Sequence, residues 1–224
     1  MIKRTSREHV LKILKENHNN WNILDIGCNI GAIEYAQTCA DILDVSSFYN
    51  NKKFVLIKTK ELPFNDNEFD FVFASHVIEH VDDVAFFIKE LQRISKKGYI
   101  ELPTMLEDNI VLSENSSKDH KWFFQFDDVN SILLAEKRKQ LIQPFITHGV
   151  LFGSWRKNFK SSLVLELFWE NEINYEFKKI SVNEKKIYFI SIIKKYLSFL
   201  IRNNKIASIF LTIILAYFLI NFLF

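Results

Sequence analysis

Cysteine, proline and glycine are scarce in this 224-residue chain, at two, three and five residues. The cysteines, Cys28 and Cys39, form no C-x-x-C pair. That argues against a zinc site or a disulfide framework and fits a reducing cytosol. With so few glycines, each one is expected to mark a turn. A charge excess is also lacking: 29 Lys and Arg against 27 Asp and Glu leave a net +2, so bulk electrostatics give no reason to expect a nucleic-acid partner. There is no internal repeat. The first twenty residues are polar and charged, so no secretory leader is expected. What is present, 48% hydrophobic and 25% charged residues, suits one globular domain plus extras.

One segment lacks charge altogether. Ile206–Phe224, "IASIFLTIILAYFLINFLF", has no charged side chain and is just long enough, as a helix, for a hydrocarbon core of roughly 30 Å. Lys194, Lys195, Arg202 and Lys205 precede it, as the positive-inside rule expects of a cytoplasmic body with a C-terminal anchor. Ile187–Ile201 is apolar with two lysines inside and reads as an interfacial helix. Residues 1–186 are then the globular domain, 187–205 a basic juxtamembrane segment and 206–224 a membrane anchor. The expected location is the cytoplasmic face of a membrane; the alternative is a buried terminal helix on a cytoplasmic protein.

Along the domain, Thr5-Ser6-Arg7-Glu8 has capping-box spacing, with Val10, Leu11 and Leu14 following at helical period. Ile23–Ile26, Ala40–Ser46, Phe54–Ile57, Phe69–Ser75 and "YIELP" read as strands, with a short helix expected at Ala32–Cys39. Asp82 and Asp83 can cap a helix whose apolar face is Val84, Phe87, Ile88, Leu91 and Ile94, with Gly98 as its left-handed C-terminal cap. Alternating strands and helices imply a Rossmann-like, doubly wound, mostly parallel α/β sheet. Beyond Pro103, Lys121–Lys137 reads as a hairpin turning at Asp127–Ser131. Strand-like material in Leu163–Ile180 supplies an antiparallel C-terminal edge.

In "NILDIGCNIGAIEYA", Asn22–Ala36, an apolar run ends in Asp25 and passes Gly27, Asn29 and Gly31. A strand entering such a turn is a nucleotide-binding layout. Position 29 is where φ > 0 is most needed, and asparagine visits that region readily. Asp44, nineteen residues after Asp25, is placed to accept hydrogen bonds from a ribose.

"LDIGCNIG", "LPFNDNEFDFVFASHVIEHV" and "KKGYIELP" together resemble, in order and spacing, the class I S-adenosylmethionine-dependent methyltransferases, in particular small bacterial members. The resemblance covers about Ile23 to Pro103. "HKWFF" and "LFWENEINYEF" are loosely similar to a subgroup found among sugar and cell-surface polymer genes. The resemblance implies S-adenosylmethionine as cofactor. It places Asp25 near the amino-acid end of that cofactor, Gly27, Asn29 and Gly31 beneath its methionine and ribose, Asp44 on the ribose, and Ser75 and His76 facing the methyl group and acceptor. Where the family carries an acid on the adenine amine, this chain has Lys58, so that either Glu61 substitutes or the adenine is held by apolar contacts and backbone alone.

Methyl transfer from a sulfonium needs mainly positioning, and a base only if the acceptor must lose a proton early. His76 and His120 are the candidates. His76, Glu79 and His80 could hold a divalent ion; the plainer expectation, adopted here, is no metal, with Glu79 and His80 bonded within the fold. The acceptor is a small molecule, a sugar or a lipid-linked intermediate. Two alternatives stand beside the methyltransferase: a non-catalytic binding module at a membrane, and an NAD-dependent oxidoreductase, in which the "LPF" block would have no role.

Overall fold

The structure, a computed structural model, describes residues 1–112, 119–140, 146–147, 156–178, 186–203, 209 and 213. In chain order the elements are β1 (Ile2–Arg4), α1 (Arg7–Asn17), β2 (Ile23–Ile26), β3 (Thr38–Asp41), β4 (Lys53–Leu56), β5 (Phe71–Ser75), α2 (Val84–Ile94), β6 (Lys97–Pro103), α3 (Met105–Ile110), β7 (Val111–Leu112), β8 (Trp122–Asp127), β9 (Ile132–Lys137), β10 (Ile146–Thr147), α4 (Arg156–Leu163), β11 (Val164–Glu170), β12 (Tyr175–Phe177) and α5 (Phe189–Asn203). Short 3-10 turns occupy Ser46–Phe48 and Ile78–His80.

The main sheet has seven strands in the order β1-β11-β6-β5-β2-β3-β4. The five strands from β6 to β4 pair in parallel. Parallel strands are covered on both faces, so their sequences read as continuous apolar runs. Along β5, alternate side chains go to opposite faces. Phe71 and Phe73 pack with Val10, Leu14, Ile23 and Tyr99 beside α1, while Val72 and Ala74 pack with Leu24, Ile26, Ile88, Leu91 and Ile100 beside α2. The expected face of α2 is buried in full, and Asp83 caps it by accepting from Phe86 N at 3.0 Å. At α1 the cap is Ser6, which accepts from His9 N, one residue later than the capping-box spacing suggests.

The antiparallel edge is present: β11 pairs with β6, and β1 then pairs with β11 from outside. The hairpin at Asp127–Ser131 is also present, as β8 and β9, but with β12 it forms a separate three-stranded sheet.

Three expectations are corrected. No helix forms at Ala32–Cys39: residues 27–37 are turns and irregular chain, and β3 already begins at Thr38. The strand expected at Ala40–Ser46 is β3 and ends at Asp41, so Asp44 lies three residues past it. Gly98 caps no helix; α2 ends at Ile94 and Gly98 sits inside β6. A Cβ there would lie 2.5 Å from Val72 O and 2.5 Å from the Trp169 indole nitrogen. Gly98 is therefore the gap into which fully buried Trp169 packs across the β6–β11 pair.

The interfacial segment is helical, as α5, with Ile190, Tyr196 and Phe199 exposed. Among the described residues no helix is long and apolar enough to cross a membrane. The expected anchor, 206–224, lies outside the described residues apart from 209 and 213.

Candidate active site

Eleven residues, Gly27 to Gln37, return the chain from β2 to β3. Gly27 (φ +72°) and Asn29 (φ +43°) both lie in the left-handed region, so asparagine does adopt the conformation that the turn requires. A Cβ on Gly27 would stand 2.3 Å from Val77 Cγ2; that close approach, together with positive φ, restricts the position to glycine.

Without a helix, this segment's backbone groups need other partners. Lys52 Nζ donates to the carbonyls of Ile33, Glu34 and Ala36 at 3.1, 2.7 and 2.5 Å. Tyr49 O–H donates to Asn29 O at 2.6 Å and accepts from Ala32 N at 3.0 Å. Asp41 accepts from Asn29 N and Leu43 N. None of these three residues was singled out by sequence; apart from the Asp41–Leu43 bond, their contacts lie 12 to 20 positions away and carry no local signal.

Asp25 is buried, and Oδ2 accepts from Ile33 N at 2.7 Å. Burial pushes its carboxyl up to about 7, against the opposing pull of that hydrogen bond and of Arg7 and Lys52. No ion pair to it exists among the described residues. Asp44 is exposed, bonded to Ser46 N and Oγ, and held below the usual carboxylate range by those bonds, with Lys58 nearby adding to the effect.

Ser75 and His76 do lie together at the C-terminal end of β5, over a charged network. Arg7 Nη1 reaches Ser75 Oγ at 3.3 Å and Glu101 Oε1 at 3.2 Å; Tyr99 O–H donates to Glu101 Oε2 at 2.8 Å. The His76 ring lies between two carboxylates, Glu79 Oε1 at 3.1 Å and Glu101 Oε1 at 3.5 Å. Burial opposes its charge, but the two carboxylates outweigh burial and raise it to about 10. Burial likewise opposes ionisation of Glu101, yet His76, Arg7 and Tyr99 hold it at about 2. His76 thus keeps its proton at neutral pH and is unsuited to accept another.

His120 meets this network at Glu79 rather than at His76. Its ring is largely buried, Nδ1 lies 2.8 Å from Asp108 Oδ1, and it packs edge-on against His80 with centroids 4.7 Å apart. His80 and His120 thus come together with Glu79, while His76 is drawn off to Glu101.

Residues 9–100 match the family model described as "Methyltransferase domain". That segment holds the glycine turn, Asp44, Ser75 and His76, and is similar to a methyltransferase domain. A curated relative, the uncharacterized protein MJ0638 of Methanocaldococcus jannaschii, is 30% identical over 119 residues; the match covers 48% of this chain and 52% of the relative. The chain thus spans about half the length of that relative. Among solved structures, a SAM-dependent methyltransferase from Aquifex aeolicus is 21% identical over 43% of this chain and 63% of its own, with TM-score 0.36. The PH0226 protein from Pyrococcus horikoshii is 14% identical over 75% and 93%, with TM-score 0.42.

Proposed function

We propose that the chain transfers a methyl group from S-adenosylmethionine to a small-molecule, sugar or lipid-linked acceptor. The observation that carries this reading is Asp25, a buried carboxylate without an ion-pair partner among the described residues, under a turn opened by two left-handed residues. An isolated buried acid of this kind is costly unless a cation completes it, and the cofactor's α-ammonium is such a cation. Gly27, Asn29 and Gly31 then underlie the methionine and ribose, and Asp44 receives the ribose hydroxyls at the open mouth of the site.

Bound there, S-adenosylmethionine supplies a methyl on a sulfonium that leaves as a neutral thioether. The chain's own work is positioning. Ser75 and His76 end β5 on the acceptor side, and Arg7, Tyr99 and Glu101 fix them from beneath. His76, with both ring nitrogens facing carboxylates, helps shape the acceptor side as a fixed cation; it does not deprotonate the acceptor.

Residues 1–186 form the catalytic unit in this reading. The exposed apolar residues of α5 and the charge-free 206–224 sequence support attachment to a membrane through the C-terminal segment. The test is calorimetry of the full chain in detergent with S-adenosylmethionine and with NAD, followed by turnover of labelled cofactor against sugar and lipid-linked acceptor pools. Micromolar binding of S-adenosylmethionine with label transfer supports the proposal. Binding without transfer to any pool would favour the non-catalytic module, and NAD binding alone would overturn the reading.

A further inference from the structure

Beyond the cofactor loop, a second cluster of ligating side chains lies where the 3-10 turn Ile78–His80 meets the segment leading into β8. Glu79, His80 and His120 each offer one ligand atom, and these atoms lie within 4.8 Å of one another. Glu79 is fully buried; Oε1 is used by His76, while Oε2 is buried with no hydrogen-bond partner among the described residues. An unpaired buried carboxylate oxygen costs several kcal/mol unless something cationic meets it. His76 meets only the other oxygen.

His120 is prepared for the same task. Its Nδ1 is engaged by Asp108, itself buried, at 2.8 Å, which leaves Nε2 as the free ring nitrogen. A carboxylate behind one imidazole nitrogen, fixing the tautomer and aiming the other, is the usual support of a metal-bound histidine. The two ligand-bearing segments are also fastened together. Lys121 N donates to Glu79 O at 2.7 Å, the Trp122 indole N–H donates to Val81 O at 2.9 Å, and Lys121 Nζ reaches Asp82 Oδ1 at 2.8 Å.

We propose that Glu79, His80 and His120 form a binding site for a divalent transition-metal ion of the zinc class, with Asp108 positioning His120. Two imidazoles and one carboxylate are a mixed nitrogen–oxygen donor set that zinc accepts, and three protein ligands leave a fourth position open. With bonds of about 2.0–2.1 Å, a tetrahedral ion spaces its donors about 3.3 Å apart, so the observed cluster needs only a small closure. Magnesium and calcium, which want oxygen donors, fit it poorly. The site adjoins His76 through the shared Glu79 carboxylate. It revises the expectation of no metal, and with it the trio of His76, Glu79 and His80, because His76 is held by Glu101. The proposal does not rest on methyl transfer.

The experiment uses the full, tag-free chain in detergent, stripped with chelator and titrated with zinc against a chromophoric indicator, then with cobalt to read its visible absorption. One equivalent of zinc with a dissociation constant below about 1 μM, and the intense d–d bands of a four-coordinate cobalt site, are expected. His80→Ala and His120→Ala should each weaken zinc binding by at least about 10-fold, and Asp108→Asn by about 10-fold through His120 alone. Affinity for S-adenosylmethionine, measured on the same variants, reports whether they remain folded and separates failure here from failure of the methyltransferase reading. Stoichiometric zinc binding that both histidine variants retain, or no binding tighter than about 100 μM by the wild-type chain, would overturn the site.

Discussion

Asp25→Asn tests the cofactor site most directly, because burial gives that carboxylate opposite effects on the empty and the filled protein. Its carboxyl is raised from 3.8 to about 7, with burial as the leading cause. Between those values the folded protein holds a proton that the unfolded chain has lost. Stability therefore falls as pH rises through this window, and the whole cost is present above about pH 7. At about 1.4 kcal/mol per pKa unit, the cost is of order 2 kcal/mol at pH 5 and 4 kcal/mol at pH 8, a loss of roughly 2–3 kcal/mol between them. Asparagine keeps an oxygen to accept from Ile33 N and cannot ionise. Urea unfolding of the full chain in detergent should show the variant gaining on the wild type by roughly 2–3 kcal/mol from pH 5 to pH 8, since groups common to both cancel. Binding should move the other way: the variant loses the ammonium's partner and binds S-adenosylmethionine at least about tenfold more weakly. In the wild type at pH 6, calorimetry in two buffers of different ionisation enthalpy should detect nearly one proton released on binding. If the stability difference does not change from pH 5 to pH 8 and no proton is released, Asp25 is an ordinary ionised acid and the argument from burial fails.

Asp44→Ala should weaken S-adenosylmethionine binding at least about tenfold through loss of a charge-assisted hydrogen bond, without lowering the melting temperature, because the side chain is exposed; unchanged affinity by calorimetry would remove it from the site. Lys52→Met strips three carbonyls of their donor, so it should cost about 1.5–3 kcal/mol in urea unfolding and also weaken cofactor binding, since the loop itself loosens. Gly98→Ala should cost about 1–3 kcal/mol, read as a lower urea midpoint with a changed Trp169 emission. His76→Gln should lower kcat well over tenfold and change the cofactor dissociation constant less than about twofold; equal losses in both would place it in the cofactor pocket instead.

The central strands were legible because parallel strands buried on both faces are short, continuous apolar runs, and Ile23–Ile26 and Phe71–Ser75 are such runs. Asn29 was legible for a local reason, the conformation that the turn imposes. Gly98 was misread because Lys96-Lys97-Gly98 imitates a helix end, whereas its cause is Trp169, 71 positions away on a neighbouring strand. The pairing of His120 with Asp108 and its approach to His80 arise only when the β8 segment docks on the turn after β5, so sequence spacing pointed to His76 instead.

The missing helix has a consequence for chemistry. A parallel crossover normally takes a dozen or more residues; the eleven from Gly27 to Gln37 leave no room for two turns of helix and the bends at either end. Within the segment expected to be helical, Ile33 and Ala36 are buried from an irregular loop. With the helix goes its N-terminus, the feature that makes such turns good at holding phosphate. A dinucleotide bound here would find its pyrophosphate facing a loop fixed by Asp41 and lined by acids. S-adenosylmethionine has no phosphate and carries two positive groups against one negative. Replacing a helix N-terminus with Asp25, Asp41 and Asp44 removes what a nicotinamide cofactor needs and keeps what a sulfonium cofactor can use, so the shortened crossover itself weighs against the oxidoreductase alternative.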